Sequence, residues 1–246
     1  MFAVFICIAP VILMILVSVT RNWQQGVFQT GFTTEWIASG LTSMAPYLAN
    51  SLNLASRVLI TNISIGFPTA WALARHEFPG RQILRATTSL PIAVPGIAVA
   101  LALTVSFPQI RGSGWLLFGS HVIYTLPFFV GTLVPVLQRV ALIEMEKVAR
   151  TLGASRMRVF GTITIPQVWL SLAAASVIAF TLSMGEFNVS FFLVTPLEKT
   201  LPVELYSAYI TDRLEVAAAN TVWFFFFVLP AAVIIELFGG SKWGQA

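Results

Sequence analysis

Six long, mostly apolar stretches of this sequence contain no Asp, Glu, Lys or Arg. They run from Phe2 to Thr20, Val58 to Ala74, Ala86 to Ile110, Gly112 to Gln138, Val159 to Gly185 and Val216 to Ile235. About 20 mostly apolar residues carry an α-helix across the hydrocarbon core of a bilayer, where every backbone polar group must be satisfied inside the protein. The stretches therefore predict an all-α membrane protein with six transmembrane helices. A membrane β-barrel would alternate apolar and polar residues, whereas Trp223 to Leu229 is apolar throughout.

Composition excludes the other broad classes. Apolar residues make up 57% of the 246 and charged residues 10%, against about 25% charged in soluble domains. A disordered chain would be more charged still. The single cysteine, Cys7, can form neither an internal disulfide nor a cysteine-based metal cluster. A net charge of +4 reads as basic cytoplasmic loops, with no nucleic-acid partner expected.

The basic residues orient the chain. With the N-terminus inside, the inner segments hold Arg75, Arg81, Arg85, Arg139, Lys147, Arg150, Arg156, Arg158 and Lys242. The outer ones hold Arg21, Arg111, Lys199 and Arg213. That bias places both termini in the cytoplasm. The first stretch lacks a basic leader and a small-residue cleavage site, so it is read as a retained helix. Pro68, Pro91, Pro95, Pro127, Pro135 and Pro230 lie in the spans. Each removes a backbone donor, and Pro91 with Pro95 marks the third helix as a candidate bend.

Residues 137–166, between the fourth and fifth spans, read LQRVALIEMEKVARTLGASRMRVFGTITIP. Leu142, Met145, Val148, Ala149 and Leu152 recur at helical spacing, while Glu146–Arg150 and Glu144–Lys147 can pair along the polar side. Gly153 stands where a helix C-terminus favours a left-handed residue. Ser155 stands as the N-cap of a second helix carrying Met157, Phe160 and Thr164, and Pro166 fits the first turn of the next span. Such a helix–glycine–helix unit docks on a partner or lies flat on anionic lipid, which its five basic residues would suit; the residues alone leave both open.

The stretch Glu146–Ser155, followed by Ile163-Thr164-Ile165-Pro166, resembles the EAA loop of ABC importer permeases. Ala149, Gly153, Ile163 and Pro166 match that pattern. Lys147 stands at the motif Glu with Glu146 one residue earlier, Val148 replaces the first Ala, and Ile165 replaces Leu. Asn50-Ser51-Leu52, Phe78-Pro79-Gly80-Arg81, Leu182–Glu186 and Thr200-Leu201-Pro202-Val203 are similar to further family segments. They look closest to the polyamine, 2-aminoethylphosphonate, iron and sulfate group. The resemblance implies a type I ABC importer permease fold, one domain over residues 1–246, in a bacterial inner membrane. It implies a second permease subunit, two ATPase subunits that hold ATP and magnesium, and a periplasmic solute-binding protein docking on the outer segments 21–49 and 187–215. Glu146, Ala149, Arg150, Leu152, Gly153, Ala154 and Ser155 are then the ATPase-coupling residues.

No phosphate-binding G-x-x-x-x-G-K-[ST] loop, H-E-x-x-H site or G-x-S-x-G elbow occurs. No cofactor, metal site or catalytic residue is therefore expected in this chain. A charge at membrane depth usually faces a cavity or a partner. Glu186, with Asn188 beside it, is accordingly expected to line the solute pathway and to favour a cationic solute such as spermidine or putrescine. Arg57 either pairs with Glu186 or snorkels to the outer headgroups. Trp23, Trp36, Trp115, Tyr124 and Tyr206 read as interface anchors. A secondary transporter would show internal repeats and its own coupling-ion site, and neither is evident.

Overall fold

The computed structural model describes residues 2–239 and is helical almost throughout; the one β-bridge among them joins Thr20 and Phe32. Lys242, counted above among the inner basic residues, lies outside the described residues. The helices are α1 (Phe2–Ser18), α2 (Val27–Thr30), α3 (Glu35–Thr61), α4 (Phe67–Arg75), α5 (Arg81–Ala93), α6 (Gly96–Ser106), α7 (Trp115–Leu137), α8 (Val140–Thr151), α9 (Arg156–Val159), α10 (Ile165–Gly185), α11 (Ser190–Leu193), α12 (Leu201–Thr211) and α13 (Leu214–Gly239).

Two π-turns fuse neighbouring helices. Asn62–Gly66 joins α3 to α4, and Phe160–Thr164 joins α9 to α10. Each ends just before a proline, Pro68 or Pro166, which stands in the first turn of the helix that follows. Proline donates no hydrogen bond and crowds the preceding turn, and a local i→i+5 turn accommodates it without ending the helix. The expected second span thus extends outward to Glu35. Residues Trp36–Ser56 are also free of charge, the signal that the apolar count passed over. Asn50 accordingly sits mid-helix.

The third stretch is broken, as its prolines suggested. Val94 is extended, Pro95 caps α6, and α5 and α6 are separate helices. Among the described residues, α7 and the fused Arg156–Gly185 helix are long and apolar enough to cross a membrane by themselves; shorter apolar helices cover Ile8–Ser18, Gly96–Ser106 and Leu214–Pro230.

α7 is the hub, packed against α10, α4, α5 and α3. Its buried Phe129, Leu133 and Leu137 meet Ala70 and Leu73 of α4 and Val168, Ala175 and Ala179 of α10. Ala175 and Ala179, one turn apart, give the small-residue surface that lets membrane helices approach closely. At Gly66 a side chain would force its neighbours to shift, because a Cβ there would stand 2.7 Å from Phe129 Cδ1. α13 packs against α1, α10 and α3.

Candidate functional site

α8 and α9 form a hairpin at one end of the bundle. At its turn Gly153 has φ +87°, Gly153 N–H donates to Arg150 O and Ala154 N–H donates to Ala149 O, both at 3.0 Å. Those paired bonds are a Schellman stop, and the left-handed residue it needs favours glycine. Ser155 Oγ then accepts from Arg158 N–H at 3.3 Å and caps α9. Ala149, Gly153 and Ala154 therefore act through the backbone of the turn, and Ser155 through its hydroxyl cap.

The apolar stripe of α8 divides into two faces. Leu142 is buried in the α4–α7–α10 core, which ties the hairpin to the spans. Met145, Val148 and Leu152 face outward with Met157 of α9; Leu152 is 83% exposed and Met157 79%. Leaving one such side chain in water forgoes roughly 1.5–3 kcal/mol of burial. Arg150 is exposed beside it.

Glu146 corrects its predicted placement. It falls one turn beyond Leu142, on the inward face, and is 2% exposed. Its Oε1 accepts from Arg75 Nη2 at 2.9 Å and from Thr164 Oγ1 at 2.7 Å, while Arg150 Nη2 stands 4.0 Å from Oε2. A carboxylate on the apolar face, one turn from a leucine, was the available signal; Arg75 and Thr164 could not be singled out from sequence. Both expected pairs form, Arg150 Nη2 at 4.0 Å from Glu146 Oε2 and Lys147 Nζ at 2.9 Å from Glu144 Oε1. The second helix is corrected too, since it runs through the π-turn into α10 as one continuous rod.

The family-like segments also acquire roles. Arg81 Nε and Nη2 donate to Leu73 O at 3.1 and 2.8 Å, so the Phe-Pro-Gly-Arg turn returns to cap α4. Ser51 Oγ accepts from Leu201 N–H at 2.8 Å, and Asn50 Nδ2 donates to Leu197 O and Lys199 O, each at 3.1 Å. Asn50-Ser51 and Thr200-Leu201-Pro202 are thus two halves of one clamp.

Glu186 does not present its carboxylate to solvent. It is 6% exposed, and its oxygens accept from Val189 N–H at 2.9 and 3.1 Å and from Ser190 N–H at 2.9 Å. Beside it, His121 bridges Ser183 Oγ and Ser190 Oγ, both at 2.9 Å. The group is a polar knot joining α7, α10 and α11. Asn188 is exposed. Arg57 does not pair with Glu186; it stacks 4.9 Å from the Phe118 ring and 5.9 Å from the Trp115 ring. Among the described residues no cluster of His, Cys, Asp and Glu is set to hold a metal.

Comparison with known proteins shows the family. Residues 63–242 match the family described as binding-protein-dependent transport system inner membrane component, and the chain belongs to that family. It is therefore the membrane permease of an ABC importer, a transport subunit and not an enzyme. Over 202 residues it is 32% identical to the spermidine/putrescine transport system permease protein PotC of Escherichia coli (strain K12), spanning 80% of this chain and 76% of that one. A Salmonella choleraesuis (strain SC-B67) permease named for 2-aminoethylphosphonate transport, PhnV, is 25% identical over 95% of this chain and 89% of its own. The E. coli (strain K12) molybdenum transport system permease protein ModB is 29% identical over 69% and 82%. A chain of a bacterial ABC transporter involved in import of the acidic polysaccharide alginate superposes with TM-score 0.70 at 16% identity, covering 97% of this chain and 91% of that one.

Proposed function

We propose that this permease spans the inner membrane with six helices as one domain, pairs with a second permease subunit, and transmits motion from two ATPases through the α8–α9 hairpin. The carrying observation is the exposed apolar knob of Val148, Leu152 and Met157 on a hairpin bolted to the spans by Leu142 and Glu146. A partner groove gripping that knob moves the α9–α10 rod with it, because the two helices are continuous. Closing and parting of the ATPases then rocks the spans as rigid bodies. The hairpin and both termini are cytoplasmic in this reading, in keeping with the basic residues of the inner segments. ATP and magnesium belong to the ATPases, and a periplasmic binding protein delivers solute to the opposite face.

The solute we favour is a polyamine, spermidine or putrescine. The likeness to PotC supports this; the likeness to PhnV makes 2-aminoethylphosphonate the second reading. The Glu186 carboxylate is buried and Asn188 is exposed, so in this reading Asn188 is the side chain of that segment that meets solute. The test is uptake of labelled spermidine, putrescine, 2-aminoethylphosphonate and molybdate by cells carrying the complete transporter, with and without this chain. Chain-dependent uptake of spermidine or putrescine supports the polyamine reading, and uptake confined to another solute removes it.

A further inference from the structure

A cavity of about 370 Å³ opens between the end of α4 and the α8–α9 hairpin. Its walls differ in character. One side is apolar and aromatic, with Trp71 of α4 and Phe160 of the π-turn meeting edge-to-face at 5.5 Å. The other side is basic, built from Arg75, Lys147, Arg150 and Arg156 around the single carboxylate of Glu146.

The charges within it do not balance. Glu146 is committed to Arg75 and Thr164 and stands 4.0 Å from Arg150; Lys147 pairs with Glu144. Arg156 makes no ion pair among the described residues, and the buried Nε of Arg75 has no hydrogen-bond partner. Burial pushes the Arg75 guanidinium below its ordinary pKa; Glu146 opposes that, and Arg150 adds to it as a like charge close by. An anion entering here would meet surplus positive charge. A free anion has no use for the aromatic wall, whereas an amphipathic one has.

We propose that this cavity binds the phosphate headgroup of an anionic phospholipid, with the glycerol end of its chains against Trp71 and Phe160. Basic recesses between membrane helices on the cytoplasmic side suit such headgroups. Val148, Leu152 and Met157 of the docking knob do not line it, whereas Arg150 borders both. A lipid seated there would add an anion to the junction where Arg75, Glu146 and Thr164 fix the hairpin, and so stiffen the lever. The inference rests on the cytoplasmic placement of the hairpin proposed above.

The test uses the complete transporter, in nanodiscs of phosphatidylcholine doped with phosphatidylglycerol, with retained lipid read by native mass spectrometry after extraction. The wild type retains phosphatidylglycerol in preference to phosphatidylcholine. Arg156→Gln lowers that retention about fivefold, the effect of one base at an anionic surface, and Arg156→Lys keeps it. Equal retention by wild type and Arg156→Gln, or no preference over phosphatidylcholine, overturns the proposal. A preference abolished by inorganic phosphate identifies a free-anion site and overturns it too. Leu152→Arg separates the two readings: it should release the ATPase and leave lipid retention unchanged. Loss of lipid selectivity with the ATPase bound condemns the lipid site alone, and an ATPase still bound to Leu152→Arg condemns the docking reading alone.

Discussion

Arg75 Nη2 lies 2.9 Å from Glu146 Oε1, joining the last residue of α4 to the middle of α8 across 71 positions of sequence. Both side chains are withdrawn from water, at 10% and 3% exposure, and Thr164 Oγ1 donates to the same carboxylate oxygen. The contact therefore holds three elements in register: the α3–α4 rod, the hairpin and the π-turn that opens α10.

Removing one partner of that pair strands the other. Arg75→Ala or Glu146→Ala should destabilise the assembled permease by about 3–5 kcal/mol, whereas Arg75→Met combined with Glu146→Leu should recover most of the loss. Thermal unfolding of the purified transporter reads this. Additive losses in the double variant would show that the two side chains do not act together.

Gly153 tests the turn itself. No atom stands within 4 Å of a Cβ built there, so the cost of Gly153→Ala is conformational only, about 1–2 kcal/mol for a left-handed residue. Gly153→Asn should cost less, since asparagine tolerates that region. Gly153→Trp should insert in the membrane but uncouple solute uptake from ATP hydrolysis. Normal uptake by it would count against a coupling role for the hairpin.

Leu152→Arg removes an exposed apolar contact without touching the core. Its stability should stay within about 0.5 kcal/mol of wild type, while co-purification of the ATPase falls sharply. Affinity capture through a tag on this chain measures the second quantity.

Glu186→Ala should behave as a structural lesion. It leaves the buried N–H groups of Val189 and Ser190 without their acceptor, at about 1–3 kcal/mol each. Melting temperature should fall, and uptake of every transported solute should decline in proportion to the intact protein remaining. A change of solute preference at unchanged stability would return Glu186 to the pathway.

Glu215 supplies an acid-sensitive tie at the opposite end from the hairpin. Burial would raise its carboxyl pKa, but the Trp23 N–H at 2.6 Å, its own backbone N–H and Arg213 outweigh burial and hold the value below the ordinary carboxylate range. A depressed folded pKa contributes stability above the unfolded value, and that contribution is lost as pH falls through the folded one. Stability should therefore drop on acidification below about pH 4.5, and Glu215→Gln should flatten that limb. Melting curves across the range check it.

The sequence by itself determined the helical membrane class, because charge-free apolar runs leave no other way to satisfy backbone groups in lipid. It also determined the hairpin turn, since Gly153 acts through its left-handed backbone and Ser155 through a cap three residues away. Tertiary structure alone decided which way the charged residues face. Glu146 pairs with Arg150 as its spacing implies, and, one turn from Leu142, it is also drawn into the core, where it meets Arg75. Which groups meet the Glu186 carboxylate was likewise decided by the fold, since the chain turns back after it and offers the N–H groups of Val189 and Ser190. Helical periodicity fixes the angle of a side chain about its own axis; what lies at that angle depends on residues many turns away, packed there by contacts that no local pattern encodes.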